Sequence, residues 1–282
     1  MKVLVLGARG MLGQELVREF LADKHEVIAY DKKELDITDF DSTKKEIEEL
    51  KPNLVINAVA INAVDKIEES KELYDSALKI NASAAGNLAR LCRDREIIFV
   101  HYSSDYVFAG INQNGYTEND PIAPINKYGE TKAKGEALVT EAGGKYYIIR
   151  LSKLFGKPAI SDGGKKSFVD TMIYLATEGG KTFLDLVDEE LSSPTYVSDV
   201  ARFTKSVISG QPGIYHGANS GVCTWHGWAK EIFRLKNLAI IVNPVPSTAY
   251  PRPAKRPNYS QLINTKLPAQ RSWQLALKEY LA

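Results

Sequence analysis

Two side chains four residues apart carry the sharpest chemical signal in this sequence: Tyr128 and Lys132, in Tyr128-Gly-Glu-Thr-Lys132. On a helix, positions i and i+4 share a face, so the hydroxyl and the ammonium converge on one bound molecule. An ammonium beside a phenol favours the phenolate and makes the tyrosine a better proton donor to a developing alkoxide. Alone, a Tyr-x-x-x-Lys pair more often marks a solvated helix face, and its weight here comes from what precedes it. Gly7-Ala-Arg-Gly-Met-Leu-Gly13 follows a short apolar run and opens an amphipathic segment. Glycine permits the tight turn and lets the backbone approach a pyrophosphate, which sits at the positive end of the helix dipole. The Gly-Lys-Ser/Thr ending of a P-loop is missing. Ser103, Ser104 and Asp105 follow the run ending at Tyr102. They supply a third group just beyond a strand's carboxyl end, where open α/β sheets bind ligands.

Asp31 lies 18 residues after Gly13, at the end of the second apolar run. A carboxylate there can hydrogen-bond the adenosine ribose hydroxyls, which favours NAD(H). Arg9, Lys32 and Lys33 stand beside it and can neutralise the 2′-phosphate of NADP(H). Either dinucleotide is therefore the expected cofactor.

The elements that must position these groups alternate through the first half. Strand-like runs at Val3–Leu6, Glu26–Tyr30, Leu54–Ala60 and Ile97–Tyr102 alternate with helical spacing at Met11–Leu21, Asp41–Leu50 and Leu73–Arg93. Continuous apolar runs separated by helices indicate parallel strands buried on both faces. The predicted fold class is α/β: a Rossmann-like, doubly wound parallel sheet over residues 1–150, with a small interleaved C-terminal substrate lobe. The chain is expected to return to the sheet near 181–210, through Phe183–Val187 and Val197–Ser209. The lobe takes 151–180 and 211–282, with a glycine-rich loop at Gly156–Gly164, helices at Phe168–Ala176 and Trp273–Leu281, and prolines at 244, 246, 251, 253 and 257. That proline spacing forbids regular helix or central strand and predicts an ordered loop over the site. Trp225, Trp228 and Ile232 have helical spacing and read as core or subunit contact.

Thirty-six Lys and Arg against 35 Asp and Glu give a formal charge of +1, which argues against nucleic acid or an anionic membrane as the main partner. Cys92 and Cys223 form no disulfide framework, and the four histidines show no metal-ligand spacing, so no metal is expected. No run approaches a membrane helix and the opening apolar run is too short for a signal peptide, so a cytoplasmic protein is expected.

The sequence resembles the extended short-chain dehydrogenase/reductases, and within them the dTDP-4-dehydrorhamnose reductase family. The resemblance rests on Leu35-Asp-Ile-Thr-Asp39, Asn57-Ala-Val-Ala60 with Ala63-Val-Asp-Lys66, Ser104-Asp-Tyr-Val-Phe108 and Pro124–Lys132 with Gly135-Glu136. It continues through Ser193-Pro-Thr195, Gly213-Ile-Tyr-His216 and Ala254-Lys-Arg-Pro257 with Ser260, spanning nearly the whole chain. It implies reduction of a nucleotide-linked 4-keto-6-deoxy sugar. Gly7, Gly10, Met11 and Leu12 would hold the pyrophosphate, and Asp36 and Ile37 would border the adenine. Ala58, Val59 and Ala60 would pass under the cofactor. Ser104 would bind the substrate carbonyl, Asp105 the sugar, and Tyr128 would donate the proton. Lys132 would bind the nicotinamide ribose and tune Tyr128. Where these reductases commonly read Arg-x-Ser-Trp, this chain reads Arg150-Leu-Ser-Lys153. Lys153 either pairs with an anionic substrate group or points to solvent. Two rivals remain: a cofactor-binding regulatory subunit resembling the β subunit of methionine adenosyltransferase, and a nucleotide-sugar epimerase. Glu189-Glu190 lies in a loop that the resemblance makes a candidate dimer contact, and a homodimer is compatible with the reading.

Overall fold

The structure, a computed structural model, describes residues 1–160 and 166–282. Six parallel strands form the central sheet: β1 (Lys2–Leu6), β2 (Glu26–Tyr30), β3 (Leu54–Asn57), β4 (Ile98–Ser104), β5 (Tyr146–Leu151) and, late in the chain, β9 (Gly213–His216). Their order is β2-β1-β3-β4-β5-β9. The chain steps outward from β1 to β2, then crosses back to β3 on the other side of β1. This reversal opens a crevice at the carboxyl ends of β1 and β3, the place where such sheets bind ligands.

Alternation along the strands supplies both faces. Val3, Val5, Leu54, Ile56, Val100 and Ile149 pack against α1 (Met11–Ala22) and α8 (Val197–Ile208). Leu4, Leu6, Val55, Phe99 and Ile148 point the other way, towards α2 (Phe40–Leu50), α5 (Ala85–Arg93) and α6 (Lys127–Ala142). Helices α3 (Val64–Glu69) and α4 (Lys71–Leu78) precede α5, and a π-helical stretch, Lys79–Ala84, joins α4 to α5. The helix expected over Leu73–Arg93 is thus unbroken but locally widened by one π turn.

The second half departs from expectation in one respect. Phe183–Val187 is a strand, β7, but it pairs with β10 (Ile241–Val245) and not with the central sheet. Val197–Ile208 is the helix α8, lying on the sheet's face against α1. The strand that does return is β9, placed by sequence in the lobe. Its four residues, Gly-Ile-Tyr-His, lie at the sheet's edge, where a continuous apolar run is not required. The apolar run of β7 instead serves a separate core. There Phe155, Val169, Trp228, Ile232, Phe233 and Trp273 pack together from β6 (Leu154–Phe155), α7 (Phe168–Ala176), α9 (Trp225–Leu235) and α10 (Trp273–Leu281). β6 pairs with β8 (Thr195–Tyr196). The glycine-rich loop expected at 156–164 is described to Ile160, and residues 161–165 lie outside the described residues. Among the described residues, no helix is long and apolar enough to cross a membrane.

Candidate active site

The glycine turn leaves β1 at the crevice. Gly7 has φ +78°, and a Cβ there would lie 3.0 Å from the Ala58 carbonyl carbon and 3.1 Å from the Val59 nitrogen, so the end of β3 closes directly onto the turn. Helix α1 then starts at Gly10 with no side-chain cap and no acidic residue in its first turn. Backbone donors at a helix start with no side chain capping them form a phosphate cradle. The residues present therefore fit the pyrophosphate of a dinucleotide. Met11 and Leu12 form the first turn of α1, and Ala60 is exposed beyond β3. The Asp36 carboxylate accepts from the Thr38 nitrogen and hydroxyl at 2.9 and 2.7 Å, and Ile37 is buried in the apolar layer over Ile47.

The chemical groups gather at the carboxyl ends of β4 and β5. Ser104 is the last residue of β4. Its hydroxyl accepts from the Tyr106 nitrogen at 3.2 Å and donates to Asp105 Oδ1 at 3.0 Å. Tyr128 stands in the first turn of α6, edge-on to Tyr106 with ring centroids 5.8 Å apart. The start of α6 is fixed by Asn126, whose side chain caps the Gly129 nitrogen at 2.8 Å and donates to the Lys255 carbonyl at 2.9 Å. The proline-rich stretch is thus an ordered loop seated on this helix. Gly129 makes the approach possible: a Cβ there would fall 2.2 Å from the Tyr106 carbonyl oxygen.

One turn further on, Lys132 is 2% exposed and donates to the Tyr102 carbonyl at 2.5 Å. Burial pulls its ammonium down to about 8, with Glu136 opposing. The free protein does not show the lowered phenol expected of a Tyr-x-x-x-Lys pair. Tyr128 is held well above its ordinary value because burial outweighs the opposing influence of the Ser104 hydroxyl, while Lys132 reaches inward to the β4 carbonyl. Tyr128 is therefore a protonated acid at neutral pH.

Asp105, 3% exposed, follows Ser104 in a 3₁₀ turn, Asp105–Val107. It accepts from Ser152 Oγ at 2.8 Å and from the Ser104 hydroxyl at 3.0 Å. Burial raises its carboxyl, and the nearby Lys153 ammonium is the largest opposing influence. Lys153 adopts φ +41° and places its ammonium 4.1 Å from the Trp225 ring centre and 3.5 Å from the Tyr106 hydroxyl. The lysine lies within the site.

Several positioning residues were not read from the sequence. Asn81, in the π turn, is fully buried; it clamps the Ile61 backbone at 2.9 Å on both its nitrogen and carbonyl, and donates to Thr131 Oγ at 3.0 Å. It ties the loop after β3 to α6, and π turns inside helices often mark such sites. The only sequence signal is a run of small residues, Asn81-Ala-Ser-Ala-Ala-Gly86, inside an otherwise helical pattern. Glu136 on α6 and Arg150 on β5 form a buried bidentate pair at 2.9 and 2.7 Å. Glu190 is buried against Arg252, with its Oε2 accepting from Trp225 Nε1 at 3.0 Å, and Glu189 accepts from Ser247 at 2.7 and 2.8 Å.

A parallel sheet with a glycine turn at its switch point, and a serine, tyrosine and lysine beyond β4, defines an extended short-chain dehydrogenase/reductase. The chain belongs to the family described as RmlD substrate binding domain, whose model matches residues 1–282. It is 37% identical to the spore coat polysaccharide biosynthesis protein SpsK of Bacillus subtilis, over 99% of this chain and 96% of that protein. A dTDP-4-dehydrorhamnose reductase from Clostridium acetobutylicum superposes with TM-score 0.92 at 39% identity, covering 100% of this chain and 98% of that one. The Bacillus anthracis dTDP-4-dehydrorhamnose reductase, solved in complex with NADP, also gives 0.92, at 34% identity over 99% and 98% of the two chains.

Proposed function

We propose that this protein is a cytoplasmic NAD(P)H-dependent reductase of a nucleotide-linked 4-keto-6-deoxy sugar, with dTDP-4-dehydrorhamnose as substrate. The observation that carries the reading is the placement of Tyr128, in the first turn of α6, against Tyr106 and the Ser104 end of β4, with Lys132 one turn away on the same helix. The names of the full-length relatives support the same substrate class. A bound nicotinamide supplies the hydride. The chain's own groups do the rest. Ser104 Oγ, held by the Tyr106 nitrogen, polarises the ketone oxygen. Tyr128, kept protonated by burial, gives its proton to the oxygen as charge develops there. Asp105 orients the sugar hydroxyls, and Lys153 extends the site's positive charge towards the substrate. Lys132 holds the nicotinamide ribose. Residues 151–160, 166–180 and most of 211–282 form the substrate side of the cleft.

The test is dinucleotide oxidation with dTDP-4-dehydrorhamnose, comparing wild type with Tyr128→Phe. Loss of about 10²- to 10⁴-fold in kcat is expected on removing a general acid. Equal turnover removes Tyr128 from the mechanism. Net consumption of the reduced dinucleotide separates a reductase from an epimerase. Failure to consume it, together with a stoichiometric enzyme partner, would favour the regulatory reading.

A further inference from the structure

The mouth of the glycine turn holds an ion-pair arrangement that the reading above does not use. Asp31 directly follows β2, and its two carboxylate oxygens are occupied by backbone: Oδ2 accepts from the Arg9 nitrogen at 3.3 Å and Oδ1 from the Lys32 nitrogen at 2.7 Å. Three residues on, Glu34 turns back. One of its oxygens accepts from the Asp31 nitrogen at 2.9 Å; the other takes Arg9 Nη2 at 2.6 Å. The Asp31 N–H and then the Arg9 guanidinium hold Glu34 below the usual carboxylate range. Arg9 is thus strapped from the glycine turn onto the end of β2. The pair is partly open, with side chains 41% and 32% exposed, so a ligand can reach it.

We propose that Glu34 sets this protein's choice between NAD(H) and NADP(H), by competing with a ribose 2′-phosphate for the Arg9 guanidinium. The proposal rests on the dinucleotide reading, which sets the adenosine ribose against Asp31. A 2′-hydroxyl asks nothing of Arg9: it donates to the Asp31 carboxylate, and the Arg9–Glu34 pair stays closed. A 2′-phosphate brings up to two negative charges beside Asp31 and Glu34. It gains a planar, two-pronged partner only if Arg9 leaves Glu34. Glu34 therefore opposes the phosphorylated cofactor twice, by holding the arginine and by repelling the phosphate, and opposes the unphosphorylated one hardly at all. A partly exposed pair is weak, up to about fivefold in an equilibrium constant. The repulsion adds to it, so the combined effect is about tenfold.

The experiment is calorimetric titration of NAD⁺ and NADP⁺ into wild type, Glu34→Gln and Arg9→Gln/Glu34→Gln. ADP and adenosine 2′,5′-bisphosphate serve as probes of the adenosine end alone. The amide introduced by Glu34→Gln keeps an oxygen for the Asp31 nitrogen, so the turn is preserved. Glu34→Gln is expected to tighten NADP⁺ and the bisphosphate about tenfold relative to NAD⁺ and ADP, and removing Arg9 in that background should abolish the gain. An unchanged NADP⁺/NAD⁺ ratio in Glu34→Gln, or a gain that survives loss of Arg9, overturns the proposal while leaving the dinucleotide site intact. Absence of binding by either dinucleotide overturns the site and the proposal together.

Discussion

Substituting Gly129 with alanine tests whether one backbone contact fixes the catalytic geometry. Its added Cβ would lie 2.2 Å from the Tyr106 carbonyl oxygen and 2.9 Å from Pro124 Cβ. Carbon–oxygen contacts settle near about 3.3 Å, so the first turn of α6 must retreat by about 1 Å from the 3₁₀ turn. Tyr128 is the adjacent residue, and its hydroxyl is withdrawn from Ser104 by a similar amount. A misplacement of about 1 Å in a reacting group can cost about 10²-fold in rate, or about 2.7 kcal/mol of barrier. The overpacking itself costs about 1–3 kcal/mol of stability. The glycine turn is on α1, so dinucleotide affinity should persist. The assay is steady-state kcat with dTDP-4-dehydrorhamnose, alongside thermal unfolding and dinucleotide titration. Val139→Ala is the control, since it empties a buried position lower on the same helix without touching the 3₁₀ turn. It should lose stability and keep kcat. A Gly129→Ala protein that is similarly destabilised, yet turns over within about twofold of wild type, would refute the argument that this contact sets the Tyr128 hydroxyl.

Two further outcomes follow from buried charge. Glu136→Gln leaves the Arg150 guanidinium uncompensated at 3% exposure, and should cost about 3–5 kcal/mol in denaturant unfolding; Glu136→Gln/Arg150→Met should recover most of that loss. Lys132 titrates at about 8 in the free protein against 10.5 when unfolded. Below about pH 8 both states carry the proton and the full penalty of burying the charge; between about 8 and 10.5 the unfolded state binds more protons, so this group's contribution to stability improves as pH rises. Activity should move the opposite way, with kcat/KM falling above about pH 8 as the ammonium is lost. A flat alkaline limb up to pH 10 would show that the charge on Lys132 is not required.

The sheet was legible because its signal is local. Runs of four to six apolar residues with helical spacing between them can mean little but parallel strands, and the interleaving of Val3 and Val5 on one face with Leu4 and Leu6 on the other follows from strand geometry alone. Edge and lobe strands carry no such signal. Phe183–Val187 is more apolar than Gly213–His216, yet the second joins the main sheet, because strand partners are chosen by tertiary packing and not by hydropathy. The π turn at Lys79–Ala84 was also silent: it differs from the helix around it by one backbone hydrogen-bond step, and is anchored by Asn81 reaching Ile61, 20 residues earlier.

For the site, motif spacing pointed to the groups proposed to do chemistry and left hidden what holds them. Ser104, Tyr128 and Lys132 lie at fixed offsets from recognisable elements, so they could be read directly. The partner of Asp105 comes from Ser152, 47 residues on, and the Lys153 ammonium that acts on it lies against Trp225, a further 72 residues along the chain. Only the folded chain brings these together. Lys153 shows what this means for specificity. Read as a sequence, it looks like the loss of an aromatic surface. In the fold, Trp225 from α9 presents its own ring 4.1 Å from the lysine ammonium, anchored in turn by Glu190 and stacked on Trp228. An aromatic face is therefore present in the site, supplied from another element, with a cation against it and the buried Asp105 beside it. The change alters the electrostatic character of the site more than its apolar character. On the proposed reading, a substrate bound here would meet a positive charge beside aromatic rings and a carboxylate, which would rest discrimination among nucleotide sugars on polar groups of the sugar rather than on stacking alone.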